Sequence, residues 1–190
     1  MDQQSYFLKI ALCGDGAVGK TSLRQRFLGK GFSTSHLMTV GADFASIERT
    51  IDGERSLFQI WDLAGQMAFQ NVRKRFYQGC FGGLIVFDLT REETFINLNS
   101  WISELWKYSG RGIVPIVLLG NKADLSRKVS DDRANAYAEL LTTQMTKQYG
   151  FEVPFMITSA KTGLNVTEAF EAIGKSIISL MKAGRIQMHK

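Results

Sequence analysis

Eight residues near the N-terminus, GDGAVGKT (14–21), combine three glycines with a lysine and a hydroxyl group. They follow the apolar run YFLKIALC (6–13), which has the length and composition of a buried strand. Glycines permit the turns that point successive backbone N–H groups inward, and a helix that begins after the turn adds its positive end. Lys20 and Thr21 supply a cation and a hydroxyl ligand for Mg²⁺. The stretch therefore predicts a loop that binds the phosphates of a nucleotide, because a plain glycine turn would explain neither side chain.

The elements that must hold this phosphate loop alternate along the chain. Segments with helical periodicity follow four apolar runs of strand length, at 6–13, 82–88, 113–119 and 153–158. Strand and helix in alternation favour a mostly parallel sheet with helices on both of its faces. The apolar runs are continuous, as expected for strands that are covered on both faces.

A hairpin interrupts this alternation. Asp52-Gly53, a strong turn signal, lies between residues 42–51 and 54–62. Alternation within the hairpin places Phe44 and Trp61 on its more polar face. Pro154, near the start of the last strand, favours an edge position for that strand.

These patterns predict an α/β fold of the P-loop NTPase class. The expected sheet has six strands and is mostly parallel, with one antiparallel hairpin strand at an edge and helices on both faces. A chain of 190 residues is expected to form one domain, 1–190, with a short C-terminal tail from about residue 183.

Composition narrows the class of protein. No apolar stretch approaches the roughly 18 residues of a membrane span, and the N-terminus does not resemble a signal peptide. Cys13 and Cys80 lie in apolar segments and are interpreted as buried packing residues in a reducing compartment, so a cytoplasmic protein is expected. The net charge is +5, but the basic residues form no dense run. Arg73-Lys74-Arg75 and Arg127-Lys128 are interpreted as solvated surface, and no nucleic-acid partner is expected.

The base of the nucleotide is indicated by residues 121–124. Asn121-Lys122-Ala123-Asp124 follows a strongly apolar run. A carboxylate at Asp124 can accept hydrogen bonds from both N1–H and the exocyclic amine of guanine. Adenine has no such pair of donors and would leave the carboxylate poorly matched.

WDLAGQ (61–66), GNKADL (120–125) and TSAKTG (158–163) follow the phosphate loop at the order and spacing typical of Ras-superfamily small GTPases. The chain resembles that superfamily over nearly its whole length. TVGADF (39–44) and the tryptophan before Asp62 most resemble the Rab branch. The resemblance implies a switch that binds GTP or GDP with Mg²⁺, hydrolyses GTP and binds effectors in its GTP form. It also implies a GTPase-activating protein and an exchange factor as partners.

The resemblance assigns roles residue by residue. In the base-side loops, Asn121 would connect its loop to the phosphate loop, Lys122 would pack on the base, and Phe32 would cover the base edge-on. The metal ligands implied are Thr21, Thr39 and Asp62. The catalytic set implied is Gln66, which would orient the attacking water, with Lys20, Thr39 and the amide of Gly65. The nucleotide-binding set implied is Gly14, Asp15, Gly16, Ala17, Val18, Gly19, Lys20, Thr21, Ser22, Phe32, Thr39, Gly65, Asn121, Lys122, Asp124, Ser159, Ala160 and Lys161. The effector surface implied is Phe44, Trp61 and Phe76.

Intact Gly16 and Gln66 favour hydrolysis over the alternative, a nucleotide-stabilised interaction module with negligible turnover. In the family, a side chain at Gly16 would crowd the glutamine.

No arginine occurs at 35–38, so no arginine finger is expected there, and a hydrolysis rate on the order of 10⁻⁴ per second is expected without an activator. A metabolic kinase would need a second cluster for its acceptor substrate, which the sequence does not suggest.

Four features depart from the Rab pattern. GRIQMHK (184–190) has no cysteine for prenylation, so membrane association is left open. His36 replaces an aromatic residue and is given no role, and Met67 replaces the usual glutamate after Gln66. The stretch 129–158 is longer than usual and predicts a lengthened helix.

Overall fold

The computed structural model describes residues 5–33 and 38–187. Six strands form one sheet in the order β2-β3-β1-β4-β5-β6. The strands are β1 (Tyr6–Cys13), β2 (Ala42–Ile51), β3 (Glu54–Leu63), β4 (Gly82–Asp88), β5 (Ile116–Asn121) and β6 (Phe155–Ile157). Within the described residues the α-helices are α1 (Lys20–Phe27), α2 (Gln70–Tyr77), α3 (Glu92–Ile96), α4 (Leu98–Tyr108), α5 (Asp131–Tyr149) and α6 (Val166–Lys182), and a short 3-10 helix, Met67–Phe69, precedes α2.

The sheet confirms the predicted fold class. β2 pairs antiparallel with β3 at one edge, and the pairs β3·β1, β1·β4, β4·β5 and β5·β6 are all parallel. β6 forms the other edge, as Pro154 predicts, because the missing N–H of a proline is tolerated there. β5 begins at Ile116 rather than at residue 113, directly after Pro115.

Two hydrophobic cores cover the two faces of the sheet. Leu8, Ile10 and Leu12 of β1 pack into the core shared with α1 and α6. The alternate residues Ala11 and Cys13 pack into the opposite core, under α2, α4 and α5. Because both faces are covered, every residue of β4 and β5 is buried, which explains their continuous apolar sequences.

The lengthened helix is present as α5, which has 19 residues. The Ser130 hydroxyl accepts a hydrogen bond from the Arg133 amide at its start, and Gly150, with φ of 77°, ends it in a left-handed turn. Cys13 and Cys80 are free and buried, and burial raises the pKa of each thiol to about 12. None of the helices within the described residues is both long and apolar enough to span a bilayer.

Candidate nucleotide-binding site

The phosphate loop joins β1 to α1 at the carboxyl edge of the sheet. Gly14 has φ of +143° and Gly19 has φ of +101°. A Cβ atom on Gly14 would collide with the carbonyl oxygen of Val86, and one on Gly19 would collide with the Asn121 side chain. These two positions therefore require glycine both for their backbone conformation and for the space around them.

Lys20 is buried inside this loop. Its ammonium group donates hydrogen bonds to the carbonyl oxygens of Gly14, at 2.7 Å, and Asp15, at 2.8 Å. Burial lowers the pKa of the ammonium group to about 8, although the nearby Asp62 carboxylate opposes that shift. The loop thus holds a cation where it could meet the negative charge of phosphates.

The three predicted metal ligands lie together beside the loop. The Thr21 hydroxyl donates to Asp62 Oδ2 at 2.5 Å, and its oxygen lies 3.1 Å from Thr39 Oγ1. Asp62 is fully buried, and burial raises the pKa of its carboxyl group. Its Oδ1 atom has no hydrogen-bond partner among the described residues. Two hydroxyl oxygens and a carboxylate with an unsatisfied oxygen fit Mg²⁺, which prefers oxygen ligands.

Gly65 and Gln66 lie against the phosphate loop. A Cβ atom on Gly65 would come within 2.5 Å of the Gly16 nitrogen, so only glycine permits this close approach. The Gln66 side chain lies beside Gly16, since a Cβ atom on Gly16 would stand 3.9 Å from Gln66 Nε2. Because 3.9 Å is an ordinary van der Waals separation, a Cβ atom alone would fit there. A longer side chain at Gly16 would crowd the glutamine. Gln66 Oε1 is buried and has no partner among the described residues.

Asn121 connects three segments on the base side. Its Nδ2 donates to the carbonyl oxygen of Val18 at 2.8 Å, as predicted for a connection to the phosphate loop. Its Oδ1 accepts from the Thr158 hydroxyl and from the Ala160 amide, both at 3.2 Å. A guanine oxygen would therefore share the Ala160 N–H with Asn121. The Ser159 amide donates to the carbonyl oxygen of Leu164 at 3.1 Å.

Asp124 and Lys122 are each held by a neighbouring side chain. Asp124 Oδ1 accepts from the Ser159 hydroxyl at 2.6 Å, and Lys161 Nζ lies 3.8 Å from Asp124 Oδ2. Lys122 has φ of +69°, and its ammonium group lies 2.7 Å from Oδ2 of the buried Asp88. Asp88, which the sequence interpretation missed, thus holds the lysine predicted to pack on the base.

One cleft of about 570 Å³ brings these groups together. The predicted site residues that line it are Gly16, Ala17, Gly19, Lys20, Thr21, Ser22, Phe32, Thr39, Gly65, Gln66, Asn121, Lys122, Asp124, Ala160 and Lys161. The predicted site residues that do not line the cleft are Gly14, Asp15, Val18, Asp62 and Ser159. The cleft is thus lined by the phosphate loop, by Thr21 and Thr39 of the three predicted metal ligands, and by Asp124, whose carboxylate can accept hydrogen bonds from a base.

The profile of the Ras family matches residues 9–179 of the chain. The chain belongs to the Ras family. Proteins of this family are GTP-binding small GTPases that act as switches with Mg²⁺ and with regulator and effector partners.

The predicted effector surface of this Ras-family protein is a stack of three aromatic rings. The Phe44 and Trp61 ring centroids are 4.8 Å apart, and those of Trp61 and Phe76 are 5.2 Å apart. Phe44 is 52% exposed, while the other two rings are half-buried against the core under α2. The polar-face prediction for the hairpin is confirmed, because the same face of β2 exposes Ser46 and Glu48.

Interpreting residues 73–75 of the Ras-family chain as solvated surface was wrong for Arg73, which is 2% exposed. It pairs with Glu104 of α4, a residue that the sequence interpretation did not single out. The spacing of Arg73 and Tyr77, one helical turn apart, could have indicated their common buried face. Of the segment 35–38, where no arginine finger is expected, residues 35–37, which include His36, lie outside the described residues.

Proposed function

We propose that this protein is a slow GTP-hydrolysing timer of the Rab-like branch, whose GTP form binds effectors. In this proposal Lys20 and the phosphate-loop amides bind the phosphates. Thr21, Thr39 and Asp62 would hold Mg²⁺, which would neutralise the charge that develops on the phosphates. Gly65 would bind the γ-phosphate through its amide, and Gln66 would orient the attacking water.

The observation that carries the proposal is the position of Gln66. Its Oε1 atom is buried beside Gly16 and has no partner among the described residues. A buried amide oxygen without a hydrogen bond is costly, so the position favours a partner that arrives with the nucleotide. A water between Gln66 and the γ-phosphate would be such a partner.

The stack of Phe44, Trp61 and Phe76 supports the effector part of the proposal. Phe44 presents an apolar ring to solvent on strand β2, which begins at Ala42, three residues after Thr39. A change at Thr39 on loss of the γ-phosphate would therefore reach this ring through a short stretch of chain. The sequence likeness of TVGADF to Rabs supports a role in trafficking, and the two free thiols support a cytoplasmic location.

The proposal is tested by single-turnover hydrolysis of preloaded GTP with Mg²⁺. We expect a wild-type rate on the order of 10⁻⁴ per second and a rate about tenfold lower for Gln66→Leu. Gln144→Leu, an exposed change on α5, is the matched control and should hydrolyse GTP at the wild-type rate. Equal hydrolysis rates for wild type and Gln66→Leu would contradict the proposed timer function and favour an interaction module with negligible GTP turnover.

A further inference from the structure

A buried ion pair joins α2 to α4 beside the cleft. Arg73 Nε lies 2.5 Å from Glu104 Oε1, and Arg73 Nη2 lies 2.9 Å from Glu104 Oε2. The two residues are only 2% and 8% exposed. Removing two charges from water costs several kcal/mol per ion, and an apolar pair of similar volume is often at least as stable. A role other than stability is therefore to be sought for this pair.

The third nitrogen of the guanidinium group contacts the segment that contains Gln66. Arg73 Nη1 donates to the carbonyl oxygen of Gln66 at 3.0 Å and lies 3.4 Å from that of Ala64. These carbonyl groups flank Gly65, which presses against the backbone of the phosphate loop. Arg73 thus contacts the backbone on both sides of Gly65.

Trp101 of α4 connects the same arginine to the phosphate loop. The Arg73 guanidinium lies over the Trp101 ring, 4.2 Å from its centroid. The indole N–H donates to Asp15 Oδ1 at 2.7 Å, and Asn97 Nδ2 donates to Asp15 Oδ2 at 2.8 Å. The backbone of Asp15 is one of the surfaces against which Gly65 packs. Helix α4 therefore fixes both sides of the Gly65 contact.

We propose that Arg73, oriented by Glu104 and Trp101, is a positioning residue for GTP hydrolysis. It acts through the carbonyl groups of Ala64 and Gln66, which set the position of the Gln66 side chain. Reacting groups must be held to within a fraction of an ångström, and a buried, bidentate arginine has few alternative conformations. The inference rests on the proposed role of Gln66 in hydrolysis.

The test compares Arg73→Met with Arg75→Met, which removes an exposed positive charge from the same helix. The measurements are single-turnover hydrolysis, GDP dissociation and thermal unfolding of the GDP-bound protein. We expect Arg73→Met to lower the hydrolysis rate about tenfold and to change GDP dissociation by less than about twofold. Arg75→Met should match wild type in all three. Unchanged hydrolysis in Arg73→Met would overturn the proposal.

A double-mutant cycle separates positioning from a general loss of stability. If Arg73 acts through Gln66, adding Arg73→Met to Gln66→Leu should lower the rate no further. Two independent losses that multiply would overturn the proposal. Equal hydrolysis by wild type and Gln66→Leu would instead overturn the proposed function, and the positioning role with it.

Arg73→Lys keeps the test decisive if Arg73→Met does not fold. A lysine can pair with Glu104 but cannot also contact the Ala64 and Gln66 carbonyl groups in the same geometry. We expect a loss of hydrolysis similar to that of Arg73→Met, with a smaller loss of thermal stability. Hydrolysis by Arg73→Lys at the wild-type rate would show that charge pairing alone suffices and would overturn the positioning role.

Discussion

The base side and the phosphate side of the cleft are built differently. On the base side, Asn121, Thr158 and Ser159 are at most 1% exposed. Asn121 accepts hydrogen bonds from Thr158 and Ala160, and the Ser159 hydroxyl donates to Asp124. On the phosphate side, Met38 and Met67 are more than 70% exposed. The phosphate side also contains two buried oxygens, Asp62 Oδ1 and Gln66 Oε1, that have no hydrogen-bond partner among the described residues.

This difference indicates which part of the site is fixed by the protein alone. Hydrogen bonds within the protein hold the base side, so it can select a base at little cost in ordering. The phosphate side has buried oxygens that a metal ion and a water would satisfy, so its arrangement depends on what is bound. A switch requires this combination, because one end must retain the nucleotide while the other responds to the γ-phosphate.

The largest expected effect tests the fixed base side. Asp124→Asn should lower the preference for GDP over xanthosine diphosphate by about a thousandfold or more, because an amide can donate to the extra xanthine oxygen but accepts poorly from guanine. The asparagine oxygen can still accept from the Ser159 hydroxyl, so the loop should keep its structure. Competition of the two nucleotides against labelled GDP measures the change. Asp132→Asn, an exposed change on α5, is the control, and an unaltered guanine preference in Asp124→Asn would refute base recognition by this carboxylate.

The second prediction concerns the contact between Gly65 and the phosphate loop. A Cβ atom in Gly65→Ala would collide with the Asp15–Gly16 backbone and displace both the Gly65 amide and the Gln66 side chain, so the loss should exceed that of Gln66→Leu alone. We expect hydrolysis to fall by about a hundredfold, since a displacement of about 1 Å can have that effect. GDP binding should change little, because the base side is held separately. Gly31→Ala, where a Cβ atom meets no neighbour within 4 Å, is the matched control. If Gly65→Ala hydrolyses GTP at the wild-type rate in single-turnover assays, the predicted role of this contact is contradicted.

The smallest expected effect is a pH dependence of nucleotide affinity through Lys20. Its pKa is about 8 in the structure, and bound phosphates would raise that pKa by favouring the charged form. Binding therefore takes up a proton when the pH is above the pKa of the free protein, so affinity falls as the pH rises. Between pH 7 and 9 the dissociation constant for GDP should rise about tenfold. Lys20→Arg, whose charge does not titrate, should show only the change that comes from the nucleotide itself. If the dissociation constants of the wild type and of Lys20→Arg change equally with pH, the Lys20 assignment is contradicted.

The sequence by itself determined the phosphate loop, the hairpin, the edge position of β6 and the length of α5. Each depends on local requirements that restrict residue type and spacing. Examples are the positive φ at Gly14 and Gly19 and the missing N–H of Pro154. The alternation of side chains along β2 also correctly predicted that Phe44 is exposed, because side chains in a strand alternate with a fixed period of two.

Only the tertiary structure decided how these segments are held against one another. Arg73 pairs with Glu104 across 31 residues, and Trp101 reaches Asp15 across 86. A basic residue on a short helix has the same local pattern whether it faces water or another helix, so the docking of α2 against α4 decides its burial. The pairing of neighbouring strands likewise sets the Asp88–Lys122 pair and the sharing of the Ala160 amide with Asn121, because β4, β5 and β6 end side by side in the sheet. Because these contacts join residues that are far apart in the sequence, no local spacing pattern predicts them.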